Sequence, residues 1–296
     1  MKKFSMIVRV CPLLFIEIFL VACASSPTMV GFALPRIINS DEKKLEKDPA
    51  NAKLRLETGS YYVMYANAFV QGPAEMLPAS EYLKKEQEQQ RAKELYLRGV
   101  AILREGLEEK YPGINNSYAE KKLDSYLTQL DKDDVPLLYW MVAGSLAAYS
   151  IDPMGEMALG LRLGELGALI KQAYKLDPDF NKGALDDFFI LYYGSLPPAL
   201  GGDKDLAKFH YESALRKSQG LSASPYVSWA QAIAIPEQNY ASFKENLEKA
   251  LAVDISKSPS SEDKLANKIA QTKARYLLKN ADSFIIPDDE NNGEED

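Results

Sequence analysis

The chain of 296 residues has one histidine, His210, so a metal site built on two imidazoles is excluded within it. His210 falls between Ala207, Tyr211 and Ala214 on one helical face, the place of a packed or interfacial ring rather than of a general base. Gly201-Gly202-Asp203 stands ahead of a helix and would suit an anion, but the Gly-Lys-Ser/Thr ending of a phosphate loop is missing. Its reading is a tight turn with Asp203 as N-cap. Asp186-Asp187 and the scattered glutamates form no pair that spacing would set across a cleft. The chain is therefore expected to be no enzyme, with no cofactor and no metal.

Residues that could bind rather than react are better represented. Tyr65, Tyr139, Trp140, Phe188, Tyr192, Tyr193, Tyr226 and Trp229 recur at intervals along the chain, and Leu196-Pro197-Pro198-Ala199-Leu200 is an apolar loop that would border an opening. Pockets of mostly apolar lining with a few polar tips hold ligands with a long apolar body. These eight residues, with Leu200 and His210, are the candidate lining of a ligand or partner site. The competing expectation is that the rings fill the core between helices, above all at Phe188 and its neighbour Phe189. The hydroxyl and indole N–H groups of Tyr192, Tyr193 and Trp229 suit a wet groove or an interface.

The elements that must position these rings follow from a recurring spacing. Leu166, Ile170 and Ala173 lie at offsets 0, 4 and 7, closed by Pro178; Ala207, Tyr211 and Ala214 repeat the offsets, as do Phe243, Leu247 and Ala250, and more weakly Ala92, Tyr96 and Gly99. This is the spacing of the second helix of a tetratricopeptide repeat, whose period is about 34 residues. Offsets of 4 and 7 put three residues on one face, and a small one lets the next helix approach closely. The prediction is an all-α, tetratricopeptide-like array of about four helix pairs with a C-terminal capping helix at 262–279. The candidate rings then concentrate on the first helices of the pairs, which line the concave surface of such a superhelix.

The N-terminus carries Lys2, Lys3 and Arg9, an apolar run, and then Leu20-Val21-Ala22-Cys23. The run is shorter than the roughly 20 residues of a spanning helix. It resembles the lipobox of bacterial lipoproteins, with cleavage before Cys23 and lipidation of its thiol, and Glu17 inside the run departs from the usual pattern. The domains expected are a signal peptide at 1–22, a lipidated tether at 23–41 that carries Pro27 and Pro35 and becomes a short packed segment near Leu34–Ile38, a helical domain at 42–284 in which Gln71-Gly72-Pro73 ends a helix and a short helix lies around 119–130, and an acidic disordered tail at 285–296. After cleavage Cys23 is the sole cysteine, which leaves no disulfide. The net charge is −7, and loss of the leader makes it more negative, a poor balance for nucleic acid or for lying on anionic lipid.

The central motifs also carry a family likeness. Leu176-Asp177-Pro178-Asp179-Phe180, Gly183-Ala184, Tyr192-Tyr193 and Leu200-Gly201-Gly202-Asp203, with Ala207, His210 and Ala214, resemble the T-component family of TRAP transporters, most densely over 134–250. That resemblance implies a helical periplasmic lipoprotein, anchored to a bacterial membrane by its lipid, that forms trimers and pairs with an extracytoplasmic solute-binding receptor. The aromatic helices would then hold or pass a largely apolar small molecule. The alternative is a tetratricopeptide lipoprotein that organises cell-envelope assembly or wall enzymes.

Overall fold

The computed structural model describes residues 26–286, and Cys23, the leader and most of the acidic tail lie outside them. The described residues form helices and turns with no strand. The main helices are α1 (Pro27–Leu45), α2 (Ala52–Tyr65), α3 (Tyr82–Lys110), α4 (Val135–Ile151), α5 (Leu163–Leu176), α6 (Ala184–Ser195), α7 (Lys204–Lys217), α8 (Ser224–Trp229), α9 (Tyr240–Ala252) and α10 (Ser261–Lys279). Local chemistry fixes where they begin. The side chains of Asn51, Asp203, Asn239 and Ser260 each accept a backbone N–H from the first turn that follows, and Asp131 and Asp134 form a capping box shortly before Pro136 opens α4.

Packing joins α2 to α3, α4 to α5, α6 to α7 and α8 to α9, while α4 also rests on α2 and α3, and α8 on α6. The residues at offsets 0, 4 and 7 form the buried faces of α3, α5, α7 and α9; Tyr211, half-buried, is the exception. At the α2/α3 crossing the two backbones nearly touch. A Cβ on Gly99 would lie 2.8 Å from the Gly59 carbonyl oxygen and 2.8 Å from the Tyr62 Cβ, so only glycine fits.

The array does not end as an open stack. Beyond packing on α8 and α9, α10 reaches back to α1. Lys273 pairs with Glu75 at 2.6 Å, and the Tyr276 hydroxyl donates to the Glu75 carbonyl. Glu75 also accepts from Gln71, whose side-chain oxygen accepts from the buried Tyr96 hydroxyl. The helix read as a cap thus closes the array onto its own beginning.

Several boundaries differ from the sequence reading for identifiable reasons. The stretch read as a tether up to residue 41 is helical from Pro27, and Leu34 and Ile38, where a packed segment was expected, are buried against Tyr62. Pro27 at the first turn costs no hydrogen bond, and the helix absorbs Pro35. Gln71-Gly72-Pro73, read as a stop, is crossed by a π-helical segment at Ala66–Gln71 that continues to Glu75. A second π segment, Ala230–Ala234, also lies just before a proline, Pro236. In both, the missing proline N–H and its ring disturb the regular ladder; the wider turn carries the first helix through to Glu75, whereas the second gives way to turns at 235–238. The short helix expected near 119–130 is reduced to Leu123–Leu127. At the other end Ile285 is buried, so the fold holds the first residue of the segment read as a tail.

Candidate functional site

Helix α6 carries the densest group of rings because two adjacent pairs, Phe188-Phe189 and Tyr192-Tyr193, lie three to five residues apart, which places them on adjoining faces. Phe188 and Tyr192 stack at 6.0 Å, and Tyr192 meets Tyr193 edge-on at 5.2 Å. From α4, Tyr139 contacts Trp140 at 5.1 Å and Phe188 at 6.4 Å. From α7, His210 stacks on Phe189 at 4.7 Å and on Tyr193 at 5.7 Å. Six of the ten candidate residues, Tyr139, Trp140, Phe188, Tyr192, Tyr193 and His210, therefore belong to one connected aromatic group. Phe180 joins it at 5.4 Å from Tyr139, and Tyr174 at 5.5 Å from Phe189. Neither was a site candidate in the sequence, since each is a single ring with no aromatic neighbour in the chain and only the fold brings it to the group.

Below these rings lies a buried polar knot. Asp186 is fully buried and accepts from His210 Nδ1–H at 2.8 Å, from the Tyr174 hydroxyl at 2.9 Å and from Lys217 Nζ at 2.8 Å. Burial works to raise its pKa, but these three hydrogen bonds and the Lys217 charge prevail and hold the carboxyl below its ordinary range. The next residue has the opposite fate. One oxygen of Asp187 accepts from the Ser224 hydroxyl at 2.6 Å, while the other is buried without a partner among the described residues. Burial pushes this carboxyl up, against the pull of the Ser224 and Ser228 hydroxyls. Burial and the neighbouring Asp187 charge also push the Tyr139 hydroxyl up. His210 is thus a packed ring with a fixed partner in Asp186.

The remaining candidates lie elsewhere. Tyr65 on α2 stacks with Phe69 at 6.0 Å and its hydroxyl accepts from Arg91. Trp229 lies 4.8 Å from the Tyr211 ring and donates its indole N–H to Ser242, and Tyr226 lies 6.1 Å from Tyr211, so these three knit α7, α8 and α9 together. The Tyr211 hydroxyl, which donates to Asn246, was not a candidate and completes that junction. Leu200 is exposed on the single turn Pro198–Leu200. The candidate lining is therefore not one surface: half-buried Tyr139, Trp140, Phe188 and Tyr192 form one apolar wall, and Tyr226 and Trp229 act as packing between helices.

No cluster of His, Cys, Asp and Glu that would hold a metal ion occurs among the described residues. A groove of about 340 Å³ runs past Tyr226, Lys249 and Lys257 at the end of α9, and one of about 220 Å³ with more charged side chains lies among Glu42, Arg55, Arg98 and Glu105. Chemically, the arrangement can pack, bind and associate. No helix among the described residues is long and apolar enough to cross a membrane.

The model of the family described as TRAP transporter T-component matches residues 25–285, which is the whole described fold but its last residue. An uncharacterized protein of Treponema pallidum (strain Nichols) is 32% identical over 261 residues, covering 87% of this chain and 80% of the relative. The family is one of envelope-associated transporter components and not of enzymes. A match that runs unbroken through the helical array, the aromatic group and the closing helix shows that this chain belongs to the TRAP transporter T-component family.

Proposed function

We propose that the protein is a periplasmic, lipid-anchored component of a TRAP-type transport system that binds the system's solute-binding receptor. The observation that carries this reading is the family match across residues 25–285. It is supported by a fold that offers packing faces and surfaces rather than reactive groups, since repeat-like helical arrays serve mainly as extended binding surfaces. The tetratricopeptide character of the helix pairs has the support of the buried 0, 4 and 7 positions on α3, α5, α7 and α9. Lipidation of Cys23 rests on Leu20-Val21-Ala22-Cys23 behind a basic and apolar leader, and trimer formation on the family likeness.

Within that role the wall of Tyr139, Trp140, Phe188 and Tyr192 is the surface we assign to a ligand with an apolar body, and Trp229 and Tyr226 are assigned to the scaffold. The distinction is testable with two variants. Trp229→Ala removes a ring packed on Tyr211 and hydrogen-bonded to Ser242, and should cost about 3–5 kcal/mol. Tyr192→Ala should cost markedly less while weakening receptor or ligand binding. Thermal melts run beside a receptor-binding assay decide it; a Tyr192→Ala protein as destabilised as Trp229→Ala, with binding intact per folded molecule, removes the ligand wall from the account.

A further inference from the structure

The outward face of α1 has a composition unlike the rest of this acidic chain. Met29, Phe32, Arg36, Ser40, Lys43 and Lys47 follow one another at steps of three or four, a single stripe along the helix and its C-terminal turn, and all six are exposed. Ala33 and Ile37 widen the stripe on one side and are also exposed. The opposite face holds Leu34, Ile38 and Asp41 against the body. Phe32 is 63% exposed and Met29 47%, a high exposure for large apolar side chains side by side. The Arg36 guanidinium lies 3.8 Å over the Phe32 ring and donates to the Phe32 carbonyl, and Arg36, Lys43 and Lys47 make no ion pair with other described residues. The face thus runs from an apolar end at Met29 to a basic end at Lys47, on a protein of net charge −7.

We infer that this face of α1 rests on an anionic phospholipid surface, with Met29, Phe32 and Ile37 in the headgroup region and Arg36, Lys43 and Lys47 against lipid phosphates. Interfacial helices combine these features, apolar side chains on the buried side and Lys/Arg that reach the headgroups. Two observations favour lipid over a protein partner. Arg36, Lys43 and Lys47 have no carboxylate partner among the described residues, while Lys44 on the flank is paired with Asp41, so charge complementarity on this face points to anions outside the chain. Position also counts: the apolar end of the stripe is the first turn of the described chain, directly after the leader that the lipid-anchor reading ties to the membrane. The inference adds to that reading a defined orientation, in which the fold lies against the bilayer through α1.

The test uses the full chain reconstituted in vesicles of phosphatidylglycerol and phosphatidylethanolamine, with a solvatochromic fluorophore on Ala33→Cys and a control label on Ser256→Cys, and with the unsubstituted chain as background. The expected result is flotation with the vesicles, a blue-shifted label at position 33 that is quenched by brominated acyl chains, and an unshifted label at position 256. Replacing phosphatidylglycerol with phosphatidylcholine, raising the salt to screen the charges, or introducing Lys43→Glu with Lys47→Glu should lower the bound fraction of the α1 face about tenfold. Flotation with the position 33 label in water overturns the docking face and leaves the anchor standing. Failure to float overturns both. A blue shift that follows protein concentration without vesicles assigns the face to a second copy of the chain and overturns the inference.

Discussion

Two adjacent carboxylates show how far a residue's behaviour depends on what surrounds it. Asp186 is held ionised by Tyr174, His210 and Lys217, and removing it would leave the buried His210 and the half-buried Tyr174 without this acceptor and strip Lys217 of its buried counter-charge, although Lys217 keeps the Pro178 carbonyl and Asp179. Asp186→Ala should destabilise the protein by about 3–5 kcal/mol, read by denaturant unfolding at neutral pH. Because its folded pKa is depressed, its contribution is present above the ordinary value of 3.8 and lost as pH falls through the folded value. Asp187 has the reverse sign. The unfolded chain loses its proton near 3.8 while the folded chain keeps it to higher pH, so stability is lost as pH rises through that interval. Asp187→Asn should therefore raise the melting temperature at pH 7, with the gain vanishing as pH falls below about 4; a lower melting temperature at pH 7 would contradict the assignment. The sequence showed the pair Asp186-Asp187 but not this division, since the partners lie from 12 to 41 residues away on α5, α7 and α8.

At the scale of elements, small residues set helix spacing. Gly99→Ala must push α2 and α3 apart against the Gly59 carbonyl and Tyr62, and should cost about 1–3 kcal/mol in thermal or denaturant unfolding. That position was legible, because Gly99 holds the small place in the weakest copy of the 0, 4, 7 spacing. The helices themselves were legible for the same reason: one apolar face every third or fourth residue survives any detail of packing. What the periodicity hid were the places where proline speaks against a helix. Pro27 and Pro35 suggested a tether and Gly72-Pro73 a stop, yet α1 absorbs the first two, and a π turn backed by the Tyr96–Gln71–Glu75 hydrogen bonds carries α2 through the third. The site was legible in part. Rings close in sequence on α4 and α6 do form one wall, but Trp229 and Tyr226 needed the α9 side chain of Ser242 and the α7 ring of Tyr211 to reveal them as packing.

At the scale of the molecule, the closing contact between α10 and the end of α2 makes the two ends of the fold one unit. Lys273→Glu would set a second carboxylate against Glu75. The pair is partly exposed, so the cost in global stability should be about 1 kcal/mol or less. Amide exchange at 66–75 and along α10 should nevertheless quicken together; faster exchange in α10 alone would mean that the ends are not coupled. The larger claim is that such a closed helical body, with an aromatic wall on α4 and α6, works by association. Sedimentation velocity of the purified chain mixed with the solute-binding receptor of its own transport system tests this most directly. The account predicts a faster boundary containing both proteins, with the receptor depleted from its own boundary in proportion to the chain added; two independent boundaries at concentrations well above micromolar would contradict it.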